Sequence, residues 1–412
     1  MSQILFENAG LIDGLSEVRR EGMHVLVEGQ RIAEVSDRPI KAANARRFEL
    51  KGRTLMPGLI DAHVHVIATS LDLGRIAMEP ATLTASRARL ILEGMLARGF
   101  TTVRDAGGAD WGLAAAVEHG LIEGPRIFYS GRALSQTGGH ADFRGRNVDG
   151  DMCLMCSRAA QFAVIADGVD AVRRAAREEL RKGATQIKIM ASGGVASPAD
   201  PIWVTQYSDE EIAAIVWEAR SWRTYVAAHA YTPEAIGRAV RLGVRSIEHG
   251  NLLDAPTATA MAQAKAFLVP TLVTYEALSR DGKRLGFPEV SIAKIADVRG
   301  AGLESLAIAK RAGVRTVFGT DLLGELHEHQ SEEFLIRAQV LSPMEVLASA
   351  TGVAAELLNR VGELGSIQPG ALADLLVVDG DPAADLGLLQ GQGRHLSLIA
   401  KAGRLCKNRL PA

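Results

Sequence analysis

The pattern of apolar and polar positions changes texture twice along the chain. The first fifty-odd residues run ILFENAGLID (4–13), HVLVEGQRIAEVS (24–36) and, after a polar link, RFELKGRTLMPG (47–58). Apolar positions alternate with polar ones and Gly and Asn punctuate the runs, which predicts a meander of short strands rather than helices. The chain closes in the same texture, with LGSIQPGALADLLVVDGD (364–381) followed by LSLIAKAGRLCKN (396–408). Each end is too small for a core of its own. The economical expectation is one small β domain assembled from residues 1–55 and 364–412 together.

Between them, over residues 56–363, a unit repeats: an apolar strand-like run, a polar or Gly-containing loop, then an amphipathic helix. The strand runs include TTVRDAG, RIFYSG, QIKIMASGG, YVAAHA, RSIEHG, FLVPTLV and TVFGTD. ASRARLILEGMLARG, DEEIAAIVWEARSW and SLAIAKRAG carry apolar residues at helical spacing. Strand and helix in alternation imply a parallel sheet, and eight such units close a barrel. The expected fold class is therefore α/β: a (β/α)8 TIM-like barrel over 56–363, with a small β-sandwich domain formed from both termini.

Composition narrows the function. Of 412 residues, 47% are hydrophobic and 23% charged, and the formal net charge is −2. This describes a soluble globular protein with no electrostatic preference for nucleic acid or anionic membrane. The opening MSQILFENAGLIDG has neither the basic nor the apolar region of a leader, and no apolar stretch reaches membrane-spanning length, so a cytoplasmic location is expected. Three cysteines, Cys153, Cys156 and Cys406, are too few and odd in number for a disulfide framework. The C-x-x-C of Cys153 and Cys156 lacks the second ligand pair of a structural zinc site and the βαβ setting of a redox motif.

Candidate chemistry sits at the ends of the strand runs, where a barrel's loops converge on one rim. Read in order, these ends supply His63 and His65, Lys188, His229, His249 and Asp321. His63 and His65 are two apart in LIDAHVHV, so on a strand they share a face and can hold one ion together. Lys188 lies inside QIKIMASGG, where an interior ammonium must be desolvated. A salt bridge, a neutral amine, or a carbamate formed from that amine and CO2 would each resolve the cost. His229 closes YVAAHA and His249 closes RSIEHG; with ten histidines in the chain, four at strand ends look placed. Asp321 can ligate a metal and accept the proton of a water, which is general-base work.

With these positions in hand, the chain resembles the amidohydrolase superfamily from PGLIDAHVH through TTVRDAGG to the closing PGALADLLVVDGDP. It is most similar to the prolidase-like branch of dipeptidases and N-acyl-amino-acid hydrolases related to imidazolonepropionase, through GRALSQTGGHAD, KIMASGGVASP, AHAYTPEAI, IEHGN and FGTDLLGE. The resemblance implies a binuclear, usually zinc, centre bridged by a carboxylated lysine and a hydroxide. Carried over, His63, His65 and Asp321 match ligands of the more buried of two divalent metals, and His229 and His249 those of the more exposed one. Lys188, as its carbamate, would bridge them. His140 in TGGHAD and Tyr231 match residues that contact substrate or the developing oxyanion. Arg104 and Asp105 are expected as an ion pair supporting the rim, and Gly138, Gly139, Gly193 and Gly194 as permitting tight loops.

The expected reaction is hydrolysis of an amide whose amine half bears a free α-carboxylate, by attack of the metal-bridging hydroxide with Asp321 moving the proton. The resemblance extends the substrates from Xaa-Pro dipeptides and N-acyl amino acids to ochratoxin A. The SRAAQF stretch after Cys156 falls where relatives vary. A deaminase or cyclic-amide hydrolase shares the barrel and the H-x-H, but the lysine favours two metals. A non-catalytic scaffold would lack several of the six ligand positions retained here. The partner expected beyond a small amide or dipeptide is a further copy of the chain.

Overall fold

A computed structural model of the chain describes residues 3–144, 162–197 and 200–411. The Cys153–Cys156 pair lies outside these residues, as does SRAAQ of the SRAAQF stretch. Strands β1 (Gln3–Leu11), β2 (Arg20–Glu28) and β3 (Arg31–Ser36) form an antiparallel meander, with β4 (Arg46–Glu49) and β5 (Thr54–Pro57) parallel to β1.

The middle of the chain is parallel. Three strands, β6 (Leu59–Val64), β7 (Phe100–Asp105) and β8 (Arg126–Tyr129), make one sheet. A second contains β9 (Ala133–Ser135), β10 (Ala163–Ile165), β11 (Ile187–Met190), β12 (Val226–Ala230), β13 (Ser246–His249), β14 (Phe267–Val269) and β15 (Arg315–Thr316), in the order β10-β9-β11-β12-β13-β14-β15. Backbone bonds join the two sheets at both margins. Thr185 N donates to Tyr129 O beside β8, while beyond β15 Ala62 N donates to Phe318 O and Asp321 N to His63 O, each of these two at 2.8 Å.

Helices fill the crossovers: α1 (Leu73–Met78), α2 (Ala81–Ala97), α3 (Trp111–Glu118), α4 (Val169–Arg181), α5 (Asp209–Ser221), α6 (Pro233–Arg241), α7 (Ala255–Gln263), α8 (Leu272–Asp281) and α9 (Glu289–Ala312). Their starts follow from local chemistry. Ser208 and Glu211 form a capping box on α5, and Thr232 and Asp254 cap α6 and α7, each with a proline in the first turn. No helix among the described residues is long and apolar enough to cross a membrane.

After α10 (Glu332–Arg337), α11 (Pro343–Ser349) and α12 (Gly352–Leu357), the chain returns to the first sheet as β16 (Leu375–Val378), β17 (Leu396–Lys401) and β18 (Arg404–Asn408). The order there is β18-β17-β16-β5-β1-β2-β3, so strands from both ends of the chain share one sheet. Phe6, Val25, Leu55, Leu375, Val377 and Leu398 bury one another in its core.

One strand run ends sooner than its apolar pattern implies. FLVPTLV supplies a strand only to Val269: Pro270 has no N–H for the ladder, Thr271 adopts φ +46°, and Leu272 begins α8.

Candidate active site

The eight side chains singled out above, from His63, His65, His140, Lys188, His229, Tyr231 and His249 to Asp321, all line one cavity. It encloses about 690 Å3 including its open mouth, and Leu73, Phe143, Phe162, Val195, Leu278 and Leu323 give it apolar walls. Strand geometry explains the convergence: β11, β12 and β13 run parallel with Met190 opposite His229 and Ala230 opposite His249, so their C-terminal ends open on one side.

The positions and environments differ. His63 is buried on β6, and its Nδ1 lies 2.6 Å from Glu248 Oε2. That carboxylate also receives Arg104 Nη2 at 2.8 and 2.7 Å and Ser246 Oγ at 2.5 Å. With Nδ1 committed to a carboxylate, Nε2 is the nitrogen turned to the cavity, where it has no hydrogen-bond partner and lies 3.5 Å from Asp321 Oδ1. His65 repeats the arrangement with a backbone carbonyl: Nδ1 sits 2.8 Å from Gly107 O and Nε2 3.3 Å from Asp321 Oδ1.

His229 uses Nε2 toward Gly193 O at 3.2 Å, and His249 uses Nδ1 toward Thr271 Oγ1 at 2.8 Å. His63 Nε2 is left buried without a partner, while His65 Nε2 turns to Asp321. His63, His249 and Asp321 each bring a ligand atom within 4.8 Å of the others, close enough for one metal ion. A buried imidazole nitrogen with no partner, backed by a carboxylate on its other nitrogen, is the donor chemistry that a divalent cation requires. The residues fit such a group.

Electrostatics point the same way. Burial drives the imidazoles of His63 and His229 well below the ordinary histidine range and that of His249 to about 3, so all three are neutral, as ligands must be. Burial also resists charge on Asp321, but the imidazoles around it outweigh this and hold its carboxyl below the usual carboxylate range. For His65 the bond and charge of Asp321 overcome burial and raise the pKa. Lys188 is buried on β11 and forms no salt bridge among the described residues; burial pushes its amine down to about 8 despite Glu248 and Asp321. His249 and Asp321 both have left-handed backbone, at φ +73° and +52°, a conformation that costs energy in non-glycine residues and clusters at functional sites.

Residues 54–404 match the amidohydrolase family. The chain belongs to that family. A solved amidohydrolase structure is 57% identical over the whole of both chains, with a TM-score of 0.98. A prolidase solved with N-methylphosphonate-L-proline is 54% identical, covering 99% of this chain and 100% of its own, with a TM-score of 0.97. Ochratoxinase from Aspergillus niger is 31% identical over 390 residues, which are 91% of this chain and 80% of that protein. This amidohydrolase is a hydrolase of amide or peptide bonds in the prolidase-like branch.

One expectation for this amidohydrolase is corrected and three residues are added. Arg104 does not pair with Asp105: neighbours on a strand face opposite ways, so Arg104 reaches Glu248 while Asp105 accepts Val66 N, Gly107 N and Ala109 N. Glu248 was overlooked, although an acid inside the otherwise apolar SIEH strand must have a buried partner. Tyr275, whose hydroxyl meets that of Tyr231 at 2.7 Å, and Asp200, 3.2 Å from His140 Nδ1, were overlooked too. Of the glycines, Gly138 has φ +67°, and Gly194 lies so near His140 that a Cβ would stand 2.3 Å from its Cε1.

Proposed function

We propose that this enzyme cleaves the amide of Xaa-Pro dipeptides or N-acyl amino acids with a free C-terminal carboxylate, with ochratoxin A within its range. The carrying observation is the single cavity where the ligand-type histidines His63, His65, His229 and His249, Asp321 and a buried Lys188 with no salt bridge among the described residues converge. The proline-bearing phosphonate in a structure 54% identical supports the substrate class, since a tetrahedral phosphorus on the proline nitrogen imitates an amide under attack. We read the parallel strands as a closed (β/α)8 barrel over 56–363, supported by the bonds linking β6 to residues 318–321. The shared antiparallel sheet supports residues 1–55 and 364–412 as a second domain.

His63, His65 and Asp321 would hold one divalent metal, His229 and His249 a second, with Lys188 as a carbamate between them; zinc suits this set of nitrogen and oxygen donors. An amine whose pKa is lowered to about 8 retains a neutral fraction able to take up CO2. The cations, when bound, supply acidification of water and polarisation of the amide carbonyl. Asp321 takes the proton of the attacking water and delivers it to the leaving nitrogen, so that the C–N bond breaks to give acid and amine. His140 faces the oxygen on which charge develops. Burial keeps the Tyr231 phenol protonated and thus a donor, suited to the substrate carboxylate.

The test is purification with zinc and bicarbonate, metal analysis, and assay of Xaa-Pro dipeptides, N-acyl amino acids and ochratoxin A by amino-acid release. About two metals per chain with carboxylate-dependent cleavage is the expected outcome. One metal with release of ammonia, or no metal and no turnover, overturns the reading in favour of a deaminase or a scaffold.

A further inference from the structure

His140 is held more tightly than a loop histidine needs to be. Two neighbours pack against its ring: His229 stacks on it at 4.2 Å and 17°, and Gly194 lies so close that a Cβ there would stand 2.3 to 2.6 Å from three ring atoms. Its backbone N–H donates to Gln206 Oε1 at 3.0 Å, and Nδ1 meets Asp200 Oδ2 at 3.2 Å. The same oxygen of Asp200 accepts Gly194 N at 3.0 Å and Gln206 Nε2 at 3.2 Å. Asp200 thus ties together the ring, the glycine that flanks it and the glutamine that holds its backbone. Facing an ionised carboxylate, Nδ1 carries a proton in either charge state of the ring, so Nε2 is the nitrogen presented to the cavity.

Asp200 is itself in a loop, and the loop is stapled from outside. Lys294, half-buried in the second turn of α9, sends Nζ to three carbonyl oxygens of that loop: Gly194 at 3.0 Å, Ser197 at 2.7 Å and Asp200 at 2.6 Å. An ammonium has three donors and no acceptor, so the match is complete. A methionine there would fill similar space and lose all three bonds. A guanidinium is planar and cannot reproduce the converging geometry.

Resting on the reading of His140 as the group facing the reacting carbonyl, we infer that Asp200 and Lys294 are positioning residues for this hydrolysis. Asp200 fixes which nitrogen of His140 meets the substrate, and Lys294 fixes Asp200. Neither touches the cavity. Both act through His140 on the oxyanion, which exists only as the tetrahedral species forms, so their loss falls on kcat rather than KM.

The experiment compares wild type with Asp200→Asn, Lys294→Met, Lys294→Arg and the Asp200→Asn/Lys294→Met double variant. For each, it measures kcat and KM on an N-acyl-proline, inhibition by N-methylphosphonate-L-proline, metal per chain, melting temperature and the His140 tautomer by long-range 1H–15N NMR. Expected are a kcat lower by about 100-fold for Asp200→Asn and about 10-fold for Lys294→Met, each with KM within about threefold and inhibition weakened as kcat/KM falls. Lys294→Arg should recover only part of the loss. The double variant should be no worse than Asp200→Asn by more than about twofold, because both changes act on one ring. Losses confined to KM, losses that track metal content or melting temperature, or full activity in Lys294→Met would each overturn the inference. An inert wild type defeats the proposed function instead. In that case the tautomer decides here: a Nδ1–H form lost in Asp200→Asn upholds the positioning role, and an unchanged spectrum removes it.

Discussion

The two halves of the histidine cluster are built differently. At the back, His63 rests on a buried chain of charges, Glu248 and Arg104, with Ser246 completing it. Asp61, pushed up to about 6 by burial, accepts His63 N–H and Thr320 Oγ1–H and so joins β6 to the turn carrying Asp321. At the front, His229 Nε2 and His249 Nδ1 hydrogen-bond to neutral partners, Gly193 O and Thr271 Oγ1, with the Asp321 carboxylate farther from His249 Nδ1 at 3.9 Å. The rings of His140, His229, His249 and Tyr231 support one another by stacking and edge contacts at 4.2 to 5.3 Å. Ionic partners fix position at the cost of tolerance, because removing one strands the other in a dry interior. Neutral partners and stacked rings leave room to adapt. On the proposed function, the half backed by Glu248 would hold fixed charge and the half built on His229 and His249 would receive the substrate.

The largest expected effect tests the residue that faces both halves. Asp321→Asn keeps the shape and removes the proposed base; kcat should fall by about 1,000-fold or more while KM stays within about threefold. Steady-state kinetics at several pH values check this, and near-normal turnover would remove Asp321 from the proton path.

Next comes a direct contrast of the halves. Glu248→Gln leaves Arg104 charged and buried without its partner, at a cost of about 3 to 5 kcal/mol in folding stability and about 10- to 100-fold in metal affinity. Thr271→Val, the corresponding change behind His249, loses one neutral hydrogen bond, worth about 1 kcal/mol. Urea unfolding and metal competition on the two variants would show the gap, and equal losses would dissolve the distinction.

This contrast also marks how far the site was legible. The H-x-H on β6 could be read because side chains on a strand repeat every second residue, and the strand-end positions of Lys188, His229, His249 and Asp321 because βα units punctuate the chain. Parallel strands with helical crossovers followed from the same periodicity. Arg104 was paired with its sequence neighbour because a string of letters does not display which face of a strand a residue occupies. Glu248 serves His63 from 185 residues away, and Lys294 holds the carbonyl of Asp200 across 94. No local pattern encodes such contacts. FLVPTLV read as a longer strand because apolar content alone does not register the proline that ends it.

A smaller effect concerns acid. His327 lies in the turn after Asp321 and meets Ala68 O at 3.2 Å; burial, with Arg98 nearby, pushes its imidazole down to about 3. Its folded pKa lies below the unfolded value of about 6.5, so its stabilising contribution is complete above pH 6.5 and drains away as pH falls toward 3. Glu333 works in reverse: burial raises it to about 7, so stability gained from its protonation grows as pH falls from 7 toward the unfolded value of about 4.3. In the metal-free protein, His327→Gln should flatten the loss of stability below pH 6.5, measured as urea midpoints at pH 7, 5.5 and 4.5. Parallel curves for variant and wild type would exclude His327 from the acid limb.

The smallest change bears on the front half alone. Tyr231 and Tyr275 share a hydroxyl–hydroxyl bond at 2.7 Å in a buried setting, and burial raises both phenols above their ordinary range, so both stay protonated. Each hydroxyl has one proton, so only one of them donates in this bond. If Tyr275 donates to Tyr231, the Tyr231 proton is free for the substrate carboxylate. Tyr275→Phe removes that orientation and leaves Tyr231 in place. The expected result is a rise in KM of about two- to tenfold, the worth of one hydrogen bond, with kcat, metal content and urea midpoint close to wild type. Tyr231→Phe should raise KM further, and a double variant that matches it would show that Tyr275, which also lines the cavity, acts through its partner. A loss in kcat without a change in KM would place Tyr231 at the developing oxyanion and leave the carboxylate to another group.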